Sequence, residues 1–333
     1  MRSLLLAAAL LVGSPALAED VLVPVDGVTT GLDAEALIWD AAARMKRGDL
    51  DGADILLDEA ERADLPDNLA TEVVYQRANV RALDRDYAAA RDLFQEIVDD
   101  HGGSHRELDA RFRVAELTGV LGDPEGALDG LKALGNPKHM EAADRAKIAF
   151  NQAIFTLESG RSGKGRRLLK KALKRNESGL VGYYEAKAWV ALSDEALDRI
   201  DAMALRGGRK KLTKTLIKRR EGMMQAERAL AQTIQLQEPE WVLAGLLRMS
   251  ESYEDLGNDL LAAEEPDLTP AQLDIYRDEL HQQVEQIWLK SLTYLDGGVE
   301  VAERLNWDSA RVEELQSRRD ALMQRIEAGF QAG

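Results

Sequence analysis

The chain has 333 residues, 45% of them apolar and 5% aromatic, room for one elongated domain or two compact ones. Its formal charge of −16 disfavours nucleic acid as a partner, and the absence of cysteine excludes disulfides, thiolate metal sites and thiol nucleophiles. Abundant Ala, Leu, Glu and Arg favour helix.

Residues 1–18, MRSLLLAAALLVGSPALA, have one basic residue, a short apolar run and then Ala16-Leu17-Ala18. That pattern predicts a secretory signal cleaved after Ala18, too short to span a membrane as a helix. No later window holds eighteen consecutive apolar residues, so no direct membrane span is expected. Residues 19–33 read as an N-terminal linker.

From residue 34 a turn-and-helix pattern recurs: GDL-DGADILLDEA at 48–60, RDY-AAARDLFQEI at 85–97, GDP-EGALDGLKAL at 122–134 and GRS-GKGRRLLKKA at 160–172. Successive copies begin 37, 37 and 38 residues apart, at Gly48, Arg85, Gly122 and Gly160. Each follows another helical stretch of about fourteen residues, at 34–47, 71–84, 108–121 and 146–159. Two helices per unit at this period predict an α-solenoid. The small residue after each turn (Ala53, Ala90, Ala127, Gly165) lets the two helices cross closely. The larger one four later (Leu57, Phe94, Leu131, Leu169) fills the space beside it.

Past residue 180 these turns disappear. Residues 183–205 read as one helix or a degenerate pair, and Gly207-Gly208 is a break. A long amphipathic stretch follows at 210–236, with Leu212, Leu216, Met223, Ala226, Leu230 and Ile234 on one face. Glu238-Pro239 ends it and starts the next helix, 240–263, with proline in its first turn. Thr269 is an N-cap with Pro270 in the first helical position. Helices at 270–296 and 308–328 complete the chain, and Gly297-Gly298 marks a kink or interrupts a helix continuing to Leu305.

The repeat resembles the tetratricopeptide repeat (TPR), with small residues at position 8 of the first helix (Ala41, Ala78, Ala115, Ala153) and Gly-Asp-Tyr-like turns. Residues 34–180 then form four TPR-like repeats. Residues 181–330, with WxxAGLLRMSxSYxDL at 241–256, PDLTPAQLDIYRDEL at 266–280 and AERLNW at 302–307, resemble the C-terminal module of periplasmic TPR proteins of Gram-negative bacteria, some of them in gliding-motility machines. The expected fold is all-α, a TPR-like solenoid followed by a module of longer helices in degenerate repeats. The resemblance implies a periplasmic, non-enzymatic protein–protein interaction scaffold or adaptor of the cell envelope, with other envelope proteins as partners. The alternative is an outer-membrane or cell-wall assembly factor.

A cell-wall hydrolase would need an acid/base pair in a cleft, and no residues single one out. His101-Gly-Gly-Ser-His105 has its glycines in a loop, without a metalloprotease-like glutamate. SGRSGKGRR at 159–167 lacks both the phosphate-loop spacing and a preceding strand. No cofactor is expected.

In TPR folds positions 2, 5, 9 and 12 of the first helix line the concave face. Position 5 holds Ile38, Tyr75, Phe112 and Phe150, with Glu35, Asn79, Asp109, Glu116, Lys147 and Asn151 nearby. This ladder is expected either to anchor a peptide or to pack between adjacent helices. Two blocks are basic without any acid, 161–175 and 206–220, the latter including Arg209, Lys210, Lys211 and Lys214. They are expected to dock an acidic partner surface, anionic lipid headgroups or an anionic polymer, or to pair with the chain's own carboxylates.

Overall fold

A computed structural model describes residues 31–135, 140–176, 181–263, 268–305, 307 and 309–329. The signal at 1–18 and most of the linker lie outside the described residues, although its last three residues, 31–33, already belong to the first helix.

The described residues form thirteen helices and no strand: an all-α fold. They divide into two compact units that meet in sequence at Val181 and Gly182. The first contains four helix pairs, α1 (Gly31–Met45) with α2 (Leu50–Glu61), α3 (Asp67–Leu83) with α4 (Tyr87–Asp100), α5 (Glu107–Val120) with α6 (Pro124–Ala133), and α7 (Ala142–Glu158) with α8 (Ser162–Arg175). Each helix packs on its partner and each pair on the next, the stacking that makes a solenoid.

Turn chemistry explains why the chain folds back at a fixed period. Gly48, Arg85, Gly122 and Gly160 all have positive φ, at 80°, 64°, 94° and 76°. Left-handed backbone is free for glycine and costs other residues roughly 1–2 kcal/mol, so Arg85 is the strained copy. The next residue caps the second helix: Asp49, Asp86 and Asp123 accept hydrogen bonds from the amides of Gly52, Ala89 and Gly126. The fourth pair has Arg161 there and no side-chain cap.

The small residues sit where the helices cross. Ala41, Ala78, Ala115 and Ala153 on the first helices are buried, as are Ala53, Ala90 and Ala127 on the second. Leu57, Phe94, Leu131 and Leu169 are buried beside them, filling the space between the helices.

The second unit comprises α9 (Gly182–Asp201), α10 (Arg209–Leu236), α11 (Pro239–Leu261), α12 (Pro270–Leu305) and α13 (Ala310–Ala328). Residues 183–205 thus hold a single helix, which ends at Asp201, and Gly207 in the connection that follows has φ 96°. Helix α12 runs through Gly297 and Gly298 to Leu305 without a break. A Cβ at Gly298 would lie 3.0 Å from the Leu315 methyls of α13, so this glycine permits close approach and is no hinge. Leu243, Trp288, Leu295 and Leu315 knit α11, α12 and α13, while Leu197, Met223, Leu230 and Met249 knit α9, α10 and α11. No described helix is long and apolar enough to cross a membrane.

Candidate functional site

The first helices of the four pairs, with the turns beside them, enclose a groove of about 470 Å³. Glu35, Glu72, Asp109 and Lys147, one from each of α1, α3, α5 and α7, line it in register. Ile38, Phe112 and Ile148 are its apolar floor, almost wholly covered. Its rim is apolar and accessible: Trp39 is 42% and Leu108 41% exposed, and Leu69, Leu134 and Met140 are half-buried.

One wall is a buried polar network. Arg106 stacks its guanidinium over the Tyr75 ring at 4.2 Å and forms a two-pronged ion pair with the buried Glu72. Gln76 Nε2 donates to Glu72 Oε1 at 2.7 Å, and His105 Nε2 lies 3.4 Å from Glu72 Oε2. The Tyr75 hydroxyl donates to Asp109 Oδ2, with Arg113 3.8 Å from the same oxygen. Burial, foremost, pushes the Tyr75 phenol well above its ordinary range. Tyr75 therefore stays a neutral hydrogen-bond donor at any physiological pH. Across the groove Lys147 lies 3.7 Å from Asp144. These pairs compensate most charges and leave a mildly acidic, half-apolar trough.

Of the position-5 ladder, Ile38 and Phe112 reach the groove only as its floor. Tyr75 is 3% exposed and packs edge-on against Phe94 at 5.5 Å, and Phe150 has no exposed surface. The ladder packs between helices, the second of the two expected readings, and presents no free aromatic anchor. Asn79 is half-buried and donates to Gln76 Oε1 at 3.3 Å, while buried Asn151 donates to the Lys147 carbonyl at 3.2 Å. Neither lines the groove, nor does Glu116, which is buried against Arg113.

The anchors that sequence reasoning misses are Trp39, Leu69 and Leu108, with Arg106 as a wall. Helices α3 and α7 begin at Asp67 and Ala142, four residues before the starts at 71 and 146 that the repeat frame predicts. Counting positions from the later start leaves out one turn, and that turn carries Asn68, Leu69 and Asp144 of the lining. The signal for the earlier start is Pro66, with ψ of 152° just before α3, since proline pre-organises a helix start.

The two basic blocks differ. On α8, Lys164, Arg166, Arg167, Lys170, Lys171, Lys174 and Arg175 are all exposed. On α10 Lys210, Lys211 and Lys214 are exposed, while the side chain of Arg209 lies outside what the structure describes. Arg219 is instead a structural cation, 2% exposed, donating to the Met203 carbonyl from Nε at 3.0 Å and to Asp259 Oδ2 from Nη2 at 2.6 Å. His101 and His105 lie in the α4–α5 connection, and no described group of three or more His, Cys, Asp or Glu could hold a metal ion.

No family model and no curated protein matches the chain. Among solved structures it is similar to a Rap protein complexed with competence and sporulation factor, at 12% identity over 90% of this chain and 77% of that one, TM-score 0.47. It is also similar to a tetratricopeptide repeat protein from Parabacteroides merdae, at 14% identity over 83% and 99% of the two chains, TM-score 0.43. A third likeness is to Acl4, an assembly chaperone of RpL4, at 14% identity over 89% and 98%, TM-score 0.26. The solenoid itself is defined by this chain's own helix pairing, turn conformations and small-residue positions.

Proposed function

We propose that this chain is a non-enzymatic interaction scaffold of the bacterial cell envelope, exported to the periplasm by residues 1–18. Its groove takes a short segment of a partner protein. The observation that carries this reading is the groove's rim: Trp39 and Leu108 are solvent-exposed apolar side chains facing a trough whose polar walls are already internally paired. Accessible apolar anchors beside fixed polar groups suit an amphipathic segment whose own apolar side chains fill the trough. Glu35 would face a cation on that segment. The scaffold acts through shape, with the stacked pairs holding the groove open and no chemical turnover.

Photo-crosslinking amino acids placed singly at Trp39 and Leu108, with Ile55 of α2 (66% exposed and outside the groove lining) as the control position, test the reading in living cells. One envelope protein crosslinked from both groove positions and not from Ile55, through one contiguous peptide, is the expected result. Equal labelling from all three positions, or none from the groove, would overturn it. Fractionation and N-terminal sequencing test export: a mature chain starting at Glu19 in the periplasmic fraction is expected.

A further inference from the structure

We infer that the exposed face of α10 is a docking surface for an anionic lipid bilayer. Along this helix Lys210, Lys214, Ile217, Glu221, Met224 and Arg228 fall at alternating intervals of four and three residues, so they form a single row. All six are exposed, Ile217 by 53% and Met224 by 41%, although Met223 and Leu230 of the same helix turn into the core. Lys211, Lys218 and Arg220 flank the row and are exposed too. Glu221 is its single acid.

An exposed isoleucine and methionine two turns apart, flanked by cations, present much of their apolar surface to solvent rather than to the core of this unit. Their arrangement suits a surface that is charged at its boundary and apolar just beneath it. Apolar side chains then sink below the headgroups while flexible lysines stay among the phosphates.

The choice of cation separates a bilayer from an acidic protein. Wherever this chain pairs a carboxylate across helices, an arginine does most of it: Arg77 with Asp58 and Glu61, Arg248 with Asp198 and Asp201, Arg318 with Glu251 and Glu254. The planar guanidinium matches a fixed carboxylate, whereas lysine is a mobile point charge. Of the six cations in the α10 row and its flanks, four are lysines (Lys210, Lys211, Lys214 and Lys218) and two are arginines (Arg220 and Arg228). Among the described residues no ion pair is found for Lys210, Lys211, Lys214 or Lys218, in a chain with a large excess of acid. Lysines left unpaired under those conditions fit a diffuse, fluid layer of negative charge better than a rigid acidic patch.

Co-sedimentation of the full chain with vesicles of phosphatidylcholine, with and without phosphatidylglycerol, tests the site independently of the groove. Binding only to the phosphatidylglycerol vesicles, lost in high salt, is expected. The double variant Lys214→Glu/Lys218→Glu should weaken it at least about tenfold, since each cation near an anionic surface contributes severalfold. Ile217→Ser/Met224→Ser should weaken it severalfold while leaving its salt dependence intact. A matched reversal on the other unit, Lys170→Glu/Lys171→Glu, should keep most of the binding, with helical circular dichroism unchanged in all three. Binding to neutral vesicles, indifference to the α10 variants, or equal loss with the α8 variant would overturn the site. So would binding to a soluble polyanion or an acidic protein without vesicle binding.

Discussion

Arg106 donates from Nε to Glu72 Oε2 at 2.8 Å and from Nη2 to Glu72 Oε1 at 2.9 Å, tying the residue just before α5 to the first turns of α3. Both side chains are buried, and the pair joins two successive repeats. Desolvating two charges costs several kcal/mol each, so the pair is worth little over an apolar replacement, but either half alone is expensive. Arg106→Ala should therefore destabilise the chain by about 3–5 kcal/mol, and Glu72→Met/Arg106→Met should recover most of that loss. Urea denaturation followed by circular dichroism measures both. A single variant as stable as the parent would mean that water compensates the glutamate.

This pair shows where sequence reasoning stops. Periodicity, small residues and Gly-Asp turns place the helix pairs because each is a local requirement of backbone or crossing distance. Glu72 and Arg106 are thirty-four residues apart, and only the stacking of repeats makes them neighbours. The ladder is legible as a set of aromatics at one helical position, yet which way it faces depends on the neighbouring repeat. Trp39 lies one residue beyond the position the repeat frame selects, so a rotation of one residue around α1 separates floor from rim.

Burial of the ladder fixes the outcome of removing it. Tyr75 and Phe112 are 3% and 5% exposed, and replacing a buried aromatic by alanine costs about 3–5 kcal/mol. Tyr75→Ala/Phe112→Ala should approach the stability of a whole domain and abolish the cooperative thermal transition of the first unit. Trp39→Ala/Leu108→Ala, on the exposed rim, should leave that transition within about 1 kcal/mol of the parent. Equal losses in the two double variants would contradict the division into floor and rim.

The fourth repeat departs from the others by carrying Gly165 where they carry alanine. A Cβ at this position would stand 2.6 Å from the Leu157 side chain and 2.9 Å from the Leu157 backbone nitrogen. Backbone cannot give way as a side chain can, so α7 and α8 cross too closely for a methyl group. An exposed helical Gly→Ala change gains up to about 1 kcal/mol, but overpacking costs about 1–3 kcal/mol. Gly165→Ala should be a net loss, and Gly163→Ala on the same helix, where nothing lies within 4 Å, should be a net gain. Paired thermal melts of the two variants check the opposite signs.

Glu238 sets a pH dependence in the second unit. It lies in the connection before α11, 9% exposed, and burial raises its carboxyl from 4.5 to about 7. A folded pKa above the unfolded one means that folding favours the protonated acid. The stabilisation is full below pH about 4.5 and is lost as pH rises to about 7. Glu238→Gln keeps the neutral shape at every pH. The variant should match the parent near pH 4.5 and exceed it at pH 8, by an amount on the order of 2–3 kcal/mol. Because Glu251 and Asp255 are also raised by burial, the parent's own pH profile mixes several groups. The difference between parent and variant isolates Glu238. Urea midpoints at the two pH values supply it, and a difference that stays constant with pH would show that Glu238 titrates as it does in water.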